Sequence, residues 1–121
     1  MSDKELGALG EELARRYLSA CGYKILLRNF RCVLGEIDVI ARHRDTLVFV
    51  EVKTRASEEM GSPAESVTAR KRARLARLAS FYMHRYGIQD VPCRFDVVSV
   101  LMRPGFEPCL ELIQDAFGAG R

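Results

Sequence analysis

The stretch Gly35–Arg55, GEIDVIARHRDTLVFVEVKTR, sets ionisable residues inside two otherwise apolar strands. Ile37 to Ala41 and Leu47 to Val52 are rich in Ile, Val and Phe, the composition of a pleated, half-buried surface. The polar run Arg42 to Thr46 between them reads as a hairpin connection. Closed symmetrically about Arg44 and Asp45, the hairpin opposes Asp38 to Glu51 and Glu36 to Lys53, and directly opposed side chains start about 5 Å apart. Glu51 and Lys53, on alternate positions of one strand, project from the same face. The same alternation gives one face to Ile37, Val39, Val48, Val50 and Val52, and the face of Asp38 and Glu51 to Ile40, Leu47 and Phe49. Both faces are apolar, so cover on both sides of the sheet is expected. A one-residue slip would send Asp38 to the opposite face and dissolve the constellation.

Neighbouring carboxylates repel, and their charged forms become favourable together with a cation between them. Oxygen ligands of this kind suit Mg2+ or Mn2+. The residue set therefore points to metal-assisted phosphodiester hydrolysis, with Lys53 orienting the attacking water or neutralising developing charge. The alternative is a cross-strand salt-bridge ladder in which Lys53 only neutralises its acidic neighbours.

An acidic residue on one strand followed by Glu51-Val52-Lys53 at the end of the next resembles the PD-(D/E)XK nuclease signature. The longer string Gly35-Glu36-Ile37-Asp38 with Phe49-Val50-Glu51-Val52-Lys53-Thr54-Arg55 resembles the YraN-like family of small bacterial proteins. Gly7, the Gly10-Glu11 pair, Asn29, Gly61, Lys71 and Arg94-Phe95-Asp96-Val97 also fall where that family has them. The resemblance implies a restriction-endonuclease-like core, similar to the archaeal Holliday-junction resolvases, whose acidic and lysine positions bind metal and cut branched DNA. It assigns catalysis to Asp38, Glu51, Lys53 and Glu11, and metal ligation to Asp38, Glu51 and Val52. A homodimer would suit two-strand cleavage by the same analogy.

A chain of 121 residues is the size of one ordinary domain, spanning 1–121 and able to bury a core without staples. Its composition is that of a globular protein, and no apolar run approaches the length of a bilayer span. The charged start MSDKELGALGEE does not read as a signal peptide, so a cytoplasmic protein with no membrane partner is expected. Cys21, Cys32, Cys93 and Cys109 form no C-x-x-C pair, which leaves neither a zinc site nor a thiol redox motif indicated.

Taken in order, Ser2-Asp3-Lys4-Glu5 is a capping-box pattern opening a helix at about Asp3. Leu6, Leu9, Leu13 and Tyr17 recur at helical spacing with Ala14 and Cys21 beside them. Glu11 falls at the margin of that stripe and can look towards the sheet, whereas Glu12 points to solvent. Gly22 stops the helix, and Tyr23 to Phe30 is a strand completing an antiparallel meander with the hairpin. Ala56 to Pro63 is a polar loop. A second helix starts at Ser62-Pro63-Ala64-Glu65 or at Thr68 and runs to about Tyr86, with Leu75, Leu78, Ala79, Tyr82 and Tyr86 as its buried stripe.

From Ser66 to Gln89 there is no acidic residue, yet Arg70, Lys71, Arg72, Arg74, Arg77 and Arg85 are present. Arg70, Lys71 and Arg74, with Arg28 and Arg55, are the candidates for contact with nucleic-acid phosphates. Lys71 differs from the others in lying on the stripe side near the helix N-terminus. A merely solvated basic face is the alternative. Arg94 to Leu101 is a strand reached by a helical crossover, hence parallel to the Glu51 strand. Cys109 to Ile113 is a short last strand, Asp96 is expected to have a structural role, pairing with Arg94 or with a neighbouring strand, and 118–121 is a disordered tail. The expected fold is thus a single α/β domain, a mixed five-stranded sheet flanked by helices in the order α-β-β-β-α-β-β. The expected function is a Mg2+- or Mn2+-dependent DNA nuclease. A non-catalytic nucleic-acid-binding module on the same framework is the second reading, and a protein-interaction domain the third.

Overall fold

The first helix begins where its caps satisfy each other. Ser2 Oγ accepts the Glu5 N–H at 3.1 Å, and Glu5 Oε1 accepts the Ser2 N–H at 3.2 Å, which is the expected capping box. A computed structural model of the protein describes residues 1–57 and 67–118. In it α1 spans Asp3–Ala20, and Gly22 then takes φ +90°, a left-handed conformation that turns the chain into the sheet. The buried line of α1 is Gly10, Ala14 and Leu18. The expected line of Leu6, Leu9, Leu13 and Tyr17 is only half-buried, and Cys21 is exposed.

The strands are β1 (Lys24–Cys32), β2 (Gly35–His43), β3 (Thr46–Arg55), β4 (Cys93–Leu101) and β5 (Cys109–Phe117), and α2 (Ala69–Arg85) joins β3 to β4. They form one sheet in the order β1-β2-β3-β4-β5, with β3 and β4 parallel and the other neighbours antiparallel. This is the expected α/β arrangement, α-β-β-β-α-β-β. The hairpin has the symmetric register: Val39 pairs with Val50, Ile40 with Phe49, Ala41 with Val48 and His43 with Thr46. Its turn lacks glycine, and Arg44 supplies the left-handed backbone instead, at φ 56°.

Both faces of the sheet are covered. Ile40, Leu47 and Phe49 pack with Leu75, Leu78, Ala79 and Tyr82 of α2, and Val39, Val48, Val50 and Val52 pack with Ala14 and Leu18 of α1. Ile37 is a correction to the expected alternation, because it joins Ile40 and Phe49 under α2 rather than Val39 under α1. Its cross-strand partner Phe30 and the more distant Leu27 also lie on the α2 side. Between these two stands Asn29 with φ 53°, a left-handed residue that upsets simple alternation.

The second helix takes one of its two expected starts and ends where expected, whereas the end of the last strand differs. The second helix begins at Thr68, whose Oγ1 accepts the Lys71 N–H at 3.2 Å. The other possible start at Ser62, Gly61 and the expected loop from 58 onward lie outside the described residues. Tyr86 caps α2 and is 55% exposed rather than buried, since the chain turns at Gly87 and leaves its ring against Tyr82 and the Arg85 guanidinium. The last strand continues past Ile113 to Phe117. A register shift between Phe95 and Val97, a left-handed Asp115 and the Asp115 N–H bonded to Asp96 Oδ1 at 2.9 Å carry it through a polar stretch, so that Phe117 stacks on Phe95. Of the tail expected to be disordered, 119–121 lie outside the described residues. Among those described, no helix is long and apolar enough to cross a membrane.

Candidate functional site

Regular pairing of β2 with β3 runs from the turn to Val39 and Val50. Just beyond, Asp38 Oδ2 accepts the Val52 N–H at 2.8 Å, so a side chain takes a hydrogen that a strand carbonyl would otherwise accept. This bond fixes the Asp38 carboxylate beside Glu51, which is buried. Lys53 follows on the same side of β3 and is half-buried.

A close helix–strand contact brings in the next carboxylate. A Cβ built on Gly10 would stand 3.0 Å from both Cβ and Cγ2 of Thr54 and overlap its hydroxyl, so the approach of α1 to β3 depends on glycine. The following residue, Glu11, thereby reaches the end of the sheet. Asn29 Nδ2 donates to Glu11 Oε1 at 2.9 Å and to Glu36 Oε1 at 3.3 Å, tying α1 to the β1–β2 pair. One oxygen from each of Glu11, Glu36 and Asp38 lies within 4.8 Å of the others. They line an open pocket of about 360 Å³ with Gly35, Glu51, Val52, Lys53, Lys71 and Arg74.

Charge in this pocket is unevenly compensated. Burial, and then the adjacent Glu51 charge, push the Asp38 carboxyl up to about 8. Burial, and then the neighbouring Lys71 cation, hold the Lys53 ammonium below its ordinary range. Lys71 Nζ makes an ion pair with Glu51 Oε2, and the Glu36 carboxylate pairs with Arg31. Three acidic oxygens thus converge in the pocket, and Glu51 beside them is paired with Lys71. Hard oxygen donors at this spacing fit a small divalent cation, and the burial and carboxylate repulsion that raise Asp38 are what such an ion would offset.

The structure brings together Asp38, Glu51, Val52, Lys53 and Glu11, with Lys71 and Arg74 from α2. Three other sequence candidates stand apart. Arg28 and Arg70 are exposed and do not line the pocket, and Arg55 donates to Ser99 Oγ of β4 at 3.4 Å. Glu36 pairs with Arg31 of β1, and the regular β2–β3 pairs, which follow the register expected to set Glu36 opposite Lys53, extend as far as Val39 and Val50. Sequence reasoning gave no site role to Glu36 or Asn29. The available signals were a second acid beside Asp38 and an amide inside an apolar strand. Asp96 lies away from the pocket, fully buried, with Arg94 Nε at 3.0 Å and Tyr23 Oη at 2.7 Å. Its pairing with Arg94 is the expected structural one.

Residues 10–100 match the model of the Uncharacterised protein family UPF0102. The chain belongs to that family. A UPF0102 protein of Symbiobacterium thermophilum is 51% identical over 116 residues, which cover 96% of this chain and 98% of the relative. UPF0102 proteins of Moorella thermoacetica and Caldicellulosiruptor saccharolyticus are each 47% identical over 118 residues, covering 97% of this chain and 98% and 100% of theirs. Every residue lining the acidic pocket lies within the span matched to the UPF0102 family.

Proposed function

We propose that this UPF0102 protein is a Mg2+- or Mn2+-dependent nuclease that hydrolyses phosphodiester bonds in DNA, branched DNA included, on a restriction-endonuclease-like framework of the PD-(D/E)XK kind. One observation carries the reading: the acidic oxygens of Glu11, Glu36 and Asp38 gather within 4.8 Å in a pocket that Lys53 also lines. A purely structural arrangement gains nothing from concentrating like charge in this way. Glu11, Glu36, Asp38, Glu51 and Val52 are the residues that would hold the ion. Once bound, it would supply Lewis-acid stabilisation and an acidified water.

The remaining work falls to the chain's own side chains. Asp38, anchored by the Val52 amide, keeps the acidic cluster in register with β3. Lys53, held below its ordinary range by burial and by Lys71, can orient the attacking water through Nζ and offset charge developing on the phosphate. Arg74 at the rim and the exposed Arg70 and Arg77 of the acid-free helix attract the backbone of the nucleic acid.

The test is a panel of linear, single-stranded, flapped and four-way DNA, with RNA alongside, incubated with Mg2+ or Mn2+. Scission of at least one DNA substrate that stops in EDTA is expected, and no scission anywhere would remove the enzymatic reading. A second reading, a nucleic-acid-binding module, is favoured by the ion pair of Lys71 with Glu51 and by the Asn29 amide shared between Glu11 and Glu36. These contacts support the carboxylates without an ion. Salt-sensitive binding of the same panel with no cutting is the outcome that reading predicts.

A further inference from the structure

The Glu51 carboxylate is only 6% exposed, and it is neutralised by a lysine from a different element: Lys71 of α2, whose side chain is 30% exposed. The three acids whose oxygens converge, Glu11, Glu36 and Asp38, do not include Glu51. Glu51 thus pairs with an ammonium group while it adjoins the cluster through Asp38. We infer that Lys71 is an internal counter-ion that stands in for a divalent cation at Glu51, and that it is released to a nucleic-acid phosphate when a cation takes Glu51.

The physical basis is competition for one buried carboxylate. An unpaired charge at such depth is costly, so Glu51 must keep a cationic partner at all times. Lys71 supplies it in the ion pair with Glu51. A cation bound by the acidic cluster becomes the stronger partner, and the Lys71 ammonium is then left at the pocket edge beside Lys53 and Arg74. Lysine suits this exchange because its flexible stem carries a compact point charge, whereas a guanidinium fork would hold a carboxylate through two bonds. Metal and nucleic acid would in consequence bind cooperatively, and the coupling is reciprocal. The inference rests on the proposed site for its nucleic-acid half and on the Lys71–Glu51 contact alone for its metal half.

Two titrations test it. In calorimetry with Mn2+ and no nucleic acid, Lys71→Met should bind the ion about tenfold more tightly than wild type, roughly the worth of a charged hydrogen bond no longer competed away. Arg74→Met, which removes a cation from the same pocket, controls for simple charge loss. Equal gains in both variants, or no gain in Lys71→Met, would overturn the inference. Glu51→Gln provides the second arm, and its own gain is read without Lys71→Met. With labelled duplex DNA in EDTA it should bind several-fold tighter than wild type because Lys71 is already free, and adding Lys71→Met should erase that gain. Glu36→Gln removes the same charge without freeing Lys71, so a matching gain there would also overturn the idea. If no variant binds nucleic acid at all, the proposed function fails, while the manganese arm still decides the exchange at Glu51.

Discussion

At the scale of single residues, Asp38 carries the sharpest electrostatic consequence. Its carboxyl is pushed from an ordinary 3.8 up to about 8, by burial first and by Glu51 second. Between those two values the folded protein holds a proton that the unfolded chain has lost, so unfolding releases it. Metal-free stability should therefore fall as pH rises through that window, the opposite of the usual carboxylate behaviour, and the penalty should be absent below the lower value. Melting temperatures in EDTA between about pH 5 and pH 9 should decline in wild type. The decline should be shallower in Asp38→Asn, which cannot ionise, and an identical slope in the two would show that Asp38 is not the group responsible. Lys53 gives a second residue-level test. Lys53→Ala should melt near wild type and bind DNA within a few-fold while losing cleavage, because a group that acts on developing charge matters more in the transition state than in the ground state. A loss of binding equal to the loss of turnover would instead make Lys53 a phosphate contact.

At the scale of elements, the approach of α1 to β3 is set by Gly10, and Glu11 depends on it. Gly10→Ala forces its Cβ against Thr54, which should destabilise the fold by about 1–3 kcal/mol in urea denaturation and weaken Mn2+ binding by withdrawing Glu11. Unchanged binding would mean that Glu11 lies outside the ligand set. The exposed arginines of α2 predict a different readout: replacing Arg70, Arg74 and Arg77 with glutamine should lower nucleic-acid affinity and flatten its salt dependence by up to about three counterions. An unaltered slope would leave that face merely solvated. Element by element, the hairpin register could be read from sequence because Asp38, Glu51 and Lys53 interrupt apolar strands in a pattern that one symmetric closure brings together. The extra site residues could not. Asn29 adopts a left-handed conformation inside a strand, and alternation gives no warning that Glu36 and Glu11 meet at its amide. The length of β5 was hidden for a related reason, since Asp115 continues the strand through a bond to Asp96, a residue far away in sequence.

At the scale of the whole molecule, the mixed sheet separates structural charge from candidate chemical charge. At the starts of β3 and β4, Tyr23, His43, Arg94 and Asp96 form a closed network: Arg94 Nη2 lies 2.9 Å from His43 Nδ1, and the Tyr23 ring stacks on His43. Its charges are paired and its polar atoms engaged, so it stiffens the sheet. Towards the end of β3 acids from α1, β2 and β3 gather in one pocket with Lys53 and Lys71. Apolar layers under α1 and α2 hold this arrangement in place, and it is what the proposed chemistry requires. The most direct test is single-turnover strand cleavage by wild type and Asp38→Asn, assayed together on the best substrate of the panel in Mn2+ and in EDTA. Cleavage by wild type in Mn2+ alone, with Asp38→Asn inactive yet folded, is the predicted result. Equal cleavage by the two proteins, or none by wild type on any substrate, would contradict the assignment of the acidic pocket to phosphodiester hydrolysis.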